Sequence, residues 1–290
     1  MRNRILRGIA CLALAFTFWL TPSVQAAFVG LGQAGNYTLF CVSNTQWQMN
    51  NSTEVGLMGA GPGVTYNWSG SGGPYTGPIN YQTGGAVPPV NNLGGTPKPT
   101  AIATDLTQAV LDARAAATSI AGLTVNGTIP GNAIGNSTPT ITGAGGSSEN
   151  VYDITGVNMT NGNVLISGTA NETFFFRVNG DFNVGNSTIR VTGGATPDHV
   201  YWYFPNSQSI KSPNGSWDGT ILALNSGVQF DNTPSALGPV RGRIIASDDV
   251  NNNQNYVFSV VSGFDIVAVP EPGSLGLLAL AGLSLLRRRH

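Results

Sequence analysis

Hydrophobic positions in the second half of the chain come in short runs separated by clusters of glycine, asparagine and serine. The runs fall at 164–166, 174–178, 189–191, 200–204, 221–223 and 244–246. Each is too short for a helix and is bounded by turn residues, which predicts β-strands. Two pairs of runs resemble each other. Gly219, Thr220, Ile221, Leu222 and Ala223 match Gly242, Arg243, Ile244, Ile245 and Ala246 at an offset of 23. The segment 173–178 has the same character as 199–204 at an offset of 26. Offsets of this size suit one turn of a β-solenoid, in which each turn stacks on the last and buries a continuous core. A β-sandwich with strands every 8–12 residues is the competing architecture.

Upstream, 28–100 is rich in Gly, Asn and Thr, and 37–42 is its clearest strand, with shorter ones expected within 48–63. Prolines at 88, 89, 97 and 99 make 87–99 a stiff connection. One stretch has helical periodicity. Leu106, Val110, Ala113, Ala117 and Ile120 recur at spacings of three and four over 104–121. Thr104 is the expected N-cap, Asp105 favours the positive end of the helix dipole, and Gly122 stops the helix. A single amphipathic helix must lay its stripe on a sheet. The expected fold is therefore mainly β: a parallel β-helix-like solenoid with one amphipathic α-helix alongside, plus an N-terminal signal helix and a C-terminal hydrophobic helix.

The two ends read as targeting segments. Arg2, Arg4 and Arg7 precede an apolar stretch and a small-residue site, so 1–26 is a secretory signal peptide with cleavage after Ala26. Cys11 lies at the start of that stretch, where a lipoprotein cysteine would not. At the other end Pro270, Glu271 and Pro272 precede an apolar run from Leu275 to Leu286, closed by Arg287, Arg288 and Arg289. As a helix, 273–286 would span roughly 21 Å at the usual rise, short of a hydrocarbon core of about 30 Å. Snorkelling arginines would help it insert, and they should stay cytoplasmic. The segment 269–290 resembles the PEP-CTERM sorting signal. That resemblance implies an exosortase-type processing enzyme as partner, a transient membrane anchor through the tail, and delivery to the surface or exopolysaccharide matrix of a bacterium.

Removing both ends leaves a β-rich body, 27–268, with seven basic and 13 acidic residues, a formal charge of −6. Nucleic-acid binding does not fit such a surface. Charged residues are 9% of the chain against about 25% in ordinary domains, consistent with short strands and many turns. Only Cys41 remains in the body, so no internal disulfide forms. The runs at 198–204, 217–223 and 242–246 resemble the choice-of-anchor A domain of bacterial surface proteins, clearest over 120–266. Position 224 is Leu where that family commonly has Pro. The body is also similar in character to ice-binding β-solenoids, which place a helix beside stacked turns.

Candidate chemistry is sparse. Asp198 beside His199 could orient a general base, but 200–204 reads as a core strand, which assigns the pair to the turn leading into it. Asp248 and Asp249 with Asn251, Asn252, Asn253 and Gln254 offer oxygen ligands for Ca²⁺, at a spacing that fits a solvated turn better. No cofactor or metal is expected, and no nucleophile set points to an enzyme. Trp47, Trp68 and Trp217, with Tyr75 and Tyr81, lie near polar loops; the three tryptophans are the candidate sugar-stacking residues. Thr188 and Thr192 flank Arg190 and so do not form a regular Thr-x-Thr ice face. The main expectation is a sorted surface or matrix protein with a structural or adhesive role. The alternative is a polysaccharide-binding module, with ice as the lower-ranked ligand.

Overall fold

The computed structural model describes residues 29–50, 52–70, 75, 77–93, 98–144, 148–231, 237–248, 257–261 and 265–267. The signal peptide with Ala26, the tail 269–290 and the oxygen ligands beyond Asp248 lie outside them.

The chain first builds one end of a parallel β-solenoid. Strands β1 (Leu39–Ser43), β2 (Gln46–Asn50) and β3 (Thr53–Val55) form three sides of a turn. Then β4 (Met58–Ala60), β5 (Thr65–Ser69), β6 (Ile79–Gln82) and β7 (Ala101–Thr104) carry the stack outward, β4, β6 and β7 each pairing in parallel with the one before. Helix α1 (Thr107–Ala121) runs back along the side of the stack.

The chain then climbs again from the far end. The ascent uses β8 (Ile134–Gly135), β9 (Ile141–Thr142), β10 (Glu149–Ile154), β11 (Val157–Thr160), β12 (Asn163–Ser167), β13 (Thr173–Val178), β14 (Phe182–Gly185) and β15 (Thr188–Thr192). It continues through β16 (Val200–Tyr203), β17 (Ile210–Pro213), β18 (Ser216–Ala223), β19 (Val228–Asp231), β20 (Val240–Asp248), β21 (Val257–Val261) and β22 (Asp265–Val267). The last turn stacks on the first: β20 pairs with β1, β21 with β2 and β22 with β3.

Three faces result. Sheet A runs β10-β13-β16-β18-β20-β1-β4-β6-β7, and sheet B runs β8-β11-β14-β17-β19-β21-β2-β5. Sheet C joins β9, β12 and β15 to the leading ends of β18 and β20, then β22 and β3. The sequence offsets are rungs. Gly219 faces Gly242 and Ala223 faces Ala246 across 23 residues, and Phe174 faces Val200 across 26. Glycine is required where β18 and β20 bend from sheet C into sheet A. Gly219 and Gly242 both have positive φ, and a Cβ on Gly242 would lie 1.9 Å from the Gly219 carbonyl oxygen. At the B-to-C corner the bend is made by Asn161, Asn186 and Asn214 in the left-handed region, which asparagine tolerates.

Two cores form. Inside the solenoid, side chains stack in register: Tyr152 on Phe176 at 5.1 Å, and Phe176 on Trp202 at 4.4 Å. Outside sheet A, a second core lies under α1. There Leu106, Ala109, Val110, Ala113, Ala116, Ala117 and Ile120 meet Phe40, Phe175, Tyr201, Leu222 and Ile245. The predicted stripe is buried in full, and its alanines bring the helix close to the aromatic rows.

The helix begins later than the pattern suggested, because Thr104 belongs to β7. Leu106 occupies the N-cap position, and Asp105 before it satisfies the first helical amide, its Oδ1 accepting the Thr107 N–H at 3.0 Å. Hydrogen bonds from the Thr107 side chain and then its backbone N–H hold the Asp105 carboxyl below the usual range. Farther along, Arg114 bonds Asp248 through Nε at 2.6 Å, and Arg177 donates from Nη1 to the Ala121 and Leu123 carbonyls, each at 2.9 Å.

Candidate functional site

Two of the three faces have little to offer a ligand. Sheet A is covered by α1 over its centre. At the sheet C corner the carboxylate of Asp218 is fully buried between two arginines. Arg190 Nη1 lies 3.0 Å from its Oδ1, Arg241 Nε lies 2.7 Å from the same atom and Arg241 Nη2 bonds Oδ2. The Val191 N–H donates to Oδ2 at 2.8 Å. Donating to the Asp218 carboxylate raises the Arg241 pKa further. Every oxygen is thus occupied in tying three rungs together, which leaves no free acid or base. Arg190 belongs to this network, so the threonines at 188 and 192 flank a structural arginine.

Sheet B is open to solvent. Its strands are short, and most alternate inward and outward positions. One set of side chains points inward, including Val157, Phe182, Ile210, Val228, Phe258 and Trp47. Between them the outward positions align from strand to strand: Gly135, Asn158, Asn183, Lys211, Gln229, Ser259, Gln48 and Asn67. The column is a ladder of small or amide side chains repeated at the strand spacing of about 4.8 Å, with Lys211 its one charged member. Asn183 Nδ2 sits 3.4 Å from Asn158 Oδ1, so neighbouring rungs orient each other.

Two shallow depressions mark this face. One, of about 340 Å³, lies over Ile134, Val157, Asn158 and Asn183, with Asp181 at its margin. The other, of about 420 Å³, lies where short Ser259 drops below Gln229 and Gln48; Gln208, Ser209 and Lys211 complete it.

The residues singled out from the sequence are elsewhere. Trp47 and Trp217 are fully buried and Trp68 is 3% exposed. Trp47 and Trp68 meet edge to face at 5.4 Å inside the solenoid, and Trp217 packs on Phe230 at 4.9 Å. They are inward strand positions, so the sugar-stacking assignment is corrected: no ring face is presented to a ligand. Asp198 and His199 form the turn leading into β16, with Nε2 and Oδ2 3.9 Å apart. Asp248 is held by Arg114 and by the Ser43 hydroxyl at 2.5 Å. Burial pushes the Cys41 thiol well up, so it is not a reactive thiolate.

The sheet B ladder escaped the sequence reading. Its signal is a four-residue pattern, apolar–polar–apolar–any, in 47–50, 157–160, 182–185, 228–231 and 258–261. Four of the five copies hold only two apolar residues, split by a polar one, and do not stand out as runs.

A family model described as Ice-binding-like matches residues 42–258. The chain belongs to that family. Solved structures with the same fold include an ice binding protein from an Antarctic biological consortium, at TM-score 0.55 and 18% identity over 86% of this chain and 94% of that one. A glycosylated ice-binding protein from Arctic yeast gives TM-score 0.50 and 14% identity, over 85% of this chain and 97% of that one. The DUF3494 domain of an ice-binding protein from Shewanella frigidimarina gives TM-score 0.50 and 15% identity over 83% and 97%. At such identities the likeness carries the fold. Comparison with curated proteins gave no match.

These findings correct two resemblances. The body is Ice-binding-like and not choice-of-anchor A, and the PEP-CTERM reading of Pro270, Glu271 and Pro272, with Leu275 to Arg289 behind them, finds no support in any comparison. The expected structural or adhesive matrix role falls with them. The match spans the rungs that prompted the choice-of-anchor A resemblance, whose repeated strands belong to the shared solenoid. Members of the family are typically secreted, in keeping with an exported chain. Among the described residues no helix is long and apolar enough to cross a membrane.

Proposed function

We propose that this protein is a non-enzymatic ice-binding protein and that the outer surface of sheet B is the face that meets ice. The observation that carries the reading is the in-register ladder from Asn158 to Asn67, set on a parallel sheet in a chain of the Ice-binding-like family. A crystal surface offers no pocket and no charge. It can be held only by many weak contacts made at once, at a spacing that both surfaces repeat. Parallel strands supply that repeat, and uncharged amides and hydroxyls both donate and accept hydrogen bonds to ordered water. Fold alone would not choose a face; sheet B is favoured because sheet A is covered by α1 and the sheet C corner carries arginines.

Export to the cell exterior follows from the arginine-led apolar N-terminus. The apolar run closed by Arg287, Arg288 and Arg289 would hold the precursor at the membrane for a time.

The test is partition into slowly growing ice, together with inhibition of recrystallisation, for the body 27–268. Wild type should enter the ice, and the double variant Asn158→Tyr, Asn183→Tyr should be left in the liquid while melting at an unchanged temperature. Exclusion of the wild-type body from ice would end the reading.

A further inference from the structure

The larger depression on sheet B departs from what a flat crystal contact needs. The short Ser259 lies at its centre, and Gln48, Gln208, Lys211, Gln229 and Val257 line it with Ile210 and Val228. We propose that it is a binding site for an uncharged glycan chain lying across the strands.

Four observations select that ligand class. First, Gln48, Gln208, Gln229, Ser209 and Ser259 put side-chain amides and hydroxyls beside the apolar Ile210, Val228 and Val257, a mixture that suits a sugar ring with its adjacent hydroxyls and its C–H face. Second, Gln208 Oε1 is buried at the margin and accepts no hydrogen bond among the described residues, although its own backbone N–H bonds Ser226 Oγ at 3.1 Å. A turn of the half-buried Gln208 side chain would bring this unsatisfied acceptor to a hydroxyl donor in the depression. Third, Lys211 is the depression's one cation and the body carries a formal charge of −6, so neither a phosphate nor a polyuronate has a binding cluster here. Fourth, β17, β19, β21 and β2 are interior strands, paired on both sides. Their main-chain groups are already satisfied, so an extended peptide has no edge to add to.

The span agrees with a chain and not a single sugar. Four strands enclose three intervals of about 4.8 Å, roughly 14 Å across the depression. The tryptophans are in the core, so recognition here is by hydrogen bonds to amides without a stacking platform. Such a site is weak per contact, which fits a polymer that engages repeated units.

The site shares a face with the proposed ice surface but does not depend on it, because glycan binding is read above the melting point. Titration calorimetry of the body 27–268 with cellohexaose, maltohexaose and a β-1,3-glucan hexasaccharide is the direct test, with an oligoguluronate as the acidic comparison. At least one uncharged hexasaccharide should saturate. Gln229→Ala, at an exposed position, should weaken it by about tenfold, the equivalent of one good hydrogen bond, and Ser259→Trp should abolish it by filling the centre of the depression. Asn158→Ala, in the other depression, should bind as wild type. Since Ser259→Trp could disturb the fold, the exposed Gln229→Ala variant decides the matter if the two disagree. The proposal is overturned if no uncharged hexasaccharide saturates at millimolar concentration, if Gln229→Ala binds as tightly as wild type, or if the oligoguluronate binds more tightly than every uncharged probe.

Discussion

Sheets A and B are built from the same rungs, yet they are chemically opposite. In the central strands of sheet A both sides are covered, by the solenoid interior and by α1, so Phe174, Phe175 and Phe176 in β13 are all buried. In sheet B only the inward side is covered, and β11 reads Val157 in, Asn158 out, Met159 in, Thr160 out. A doubly covered parallel strand carries a continuous apolar run, and a singly covered one alternates. Stability is therefore concentrated in sheet A and its two cores, while the surface free to evolve toward a ligand is sheet B. This division can be broken or sharpened by substitutions that should hurt one sheet and spare the other.

The largest effect is expected at Trp202. Its ring stacks on Phe176 and its Nε1 donates to the Asp218 carbonyl at 2.9 Å in the interior. Trp202→Ala should cost about 3–5 kcal/mol, seen as a lower urea midpoint; a loss under about 1 kcal/mol would mean that the aromatic column is not where stability resides. Asp218→Ala comes next. It leaves Arg190 and Arg241 without their carboxylate, and because Arg241 is part exposed the cost should be nearer 2–3 kcal/mol than the full penalty for a buried pair.

Tyr152 gives a smaller, pH-dependent effect. Burial pushes its phenol up to about 12, and its hydroxyl donates to the Thr142 carbonyl at 2.7 Å. Between about pH 10, where the unfolded phenol ionises, and about 12, the folded state holds the proton and the unfolded state does not. The stabilisation is thus complete below pH 10 and is lost as pH rises through 12. Tyr152→Phe should flatten the stability curve across that window, and an unchanged alkaline slope would assign the effect to other tyrosines.

The same contrast explains what could be read from the sequence. The runs at 174–178, 200–204, 221–223 and 244–246 all belong to sheet A, and those at 164–166 and 189–191 to sheet C. Because sheet A strands are apolar on both sides, they stand out against a background of Gly and Asn, and their offsets gave rung, register and solenoid. Strict repetition is hidden because rungs differ in length: Gly219 to Gly242 is 23 residues, whereas Tyr201 pairs with Thr220 across 19. Nothing comparable marked sheet B. Most of its strands split their apolar residues with polar ones, as Val157, Asn158, Met159 and Thr160 do in β11, so the candidate face was illegible for the same reason that it is available: the outward positions are left polar for solvent. The tryptophans misled for a related reason. Trp47 and Trp68 sit beside polar residues in sequence because strand alternation places polar neighbours on the opposite side.

The smallest stability effect should accompany a clear functional one. Lys211 is exposed, and no hydrogen bond or ion pair of its side chain is seen among the described residues, so Lys211→Asn should alter stability by no more than about 0.5 kcal/mol. It would extend the amide ladder from Asn183 to Gln229 and remove the one ammonium from the column, whose hydration shell an ice surface must displace. Recrystallisation inhibition should therefore strengthen at equal protein concentration with an unchanged urea midpoint. A weakened inhibition would make Lys211 itself a contact and the uncharged ladder secondary. A lowered midpoint would mean that sheet B is not the energetically idle face that its contrast with sheet A requires.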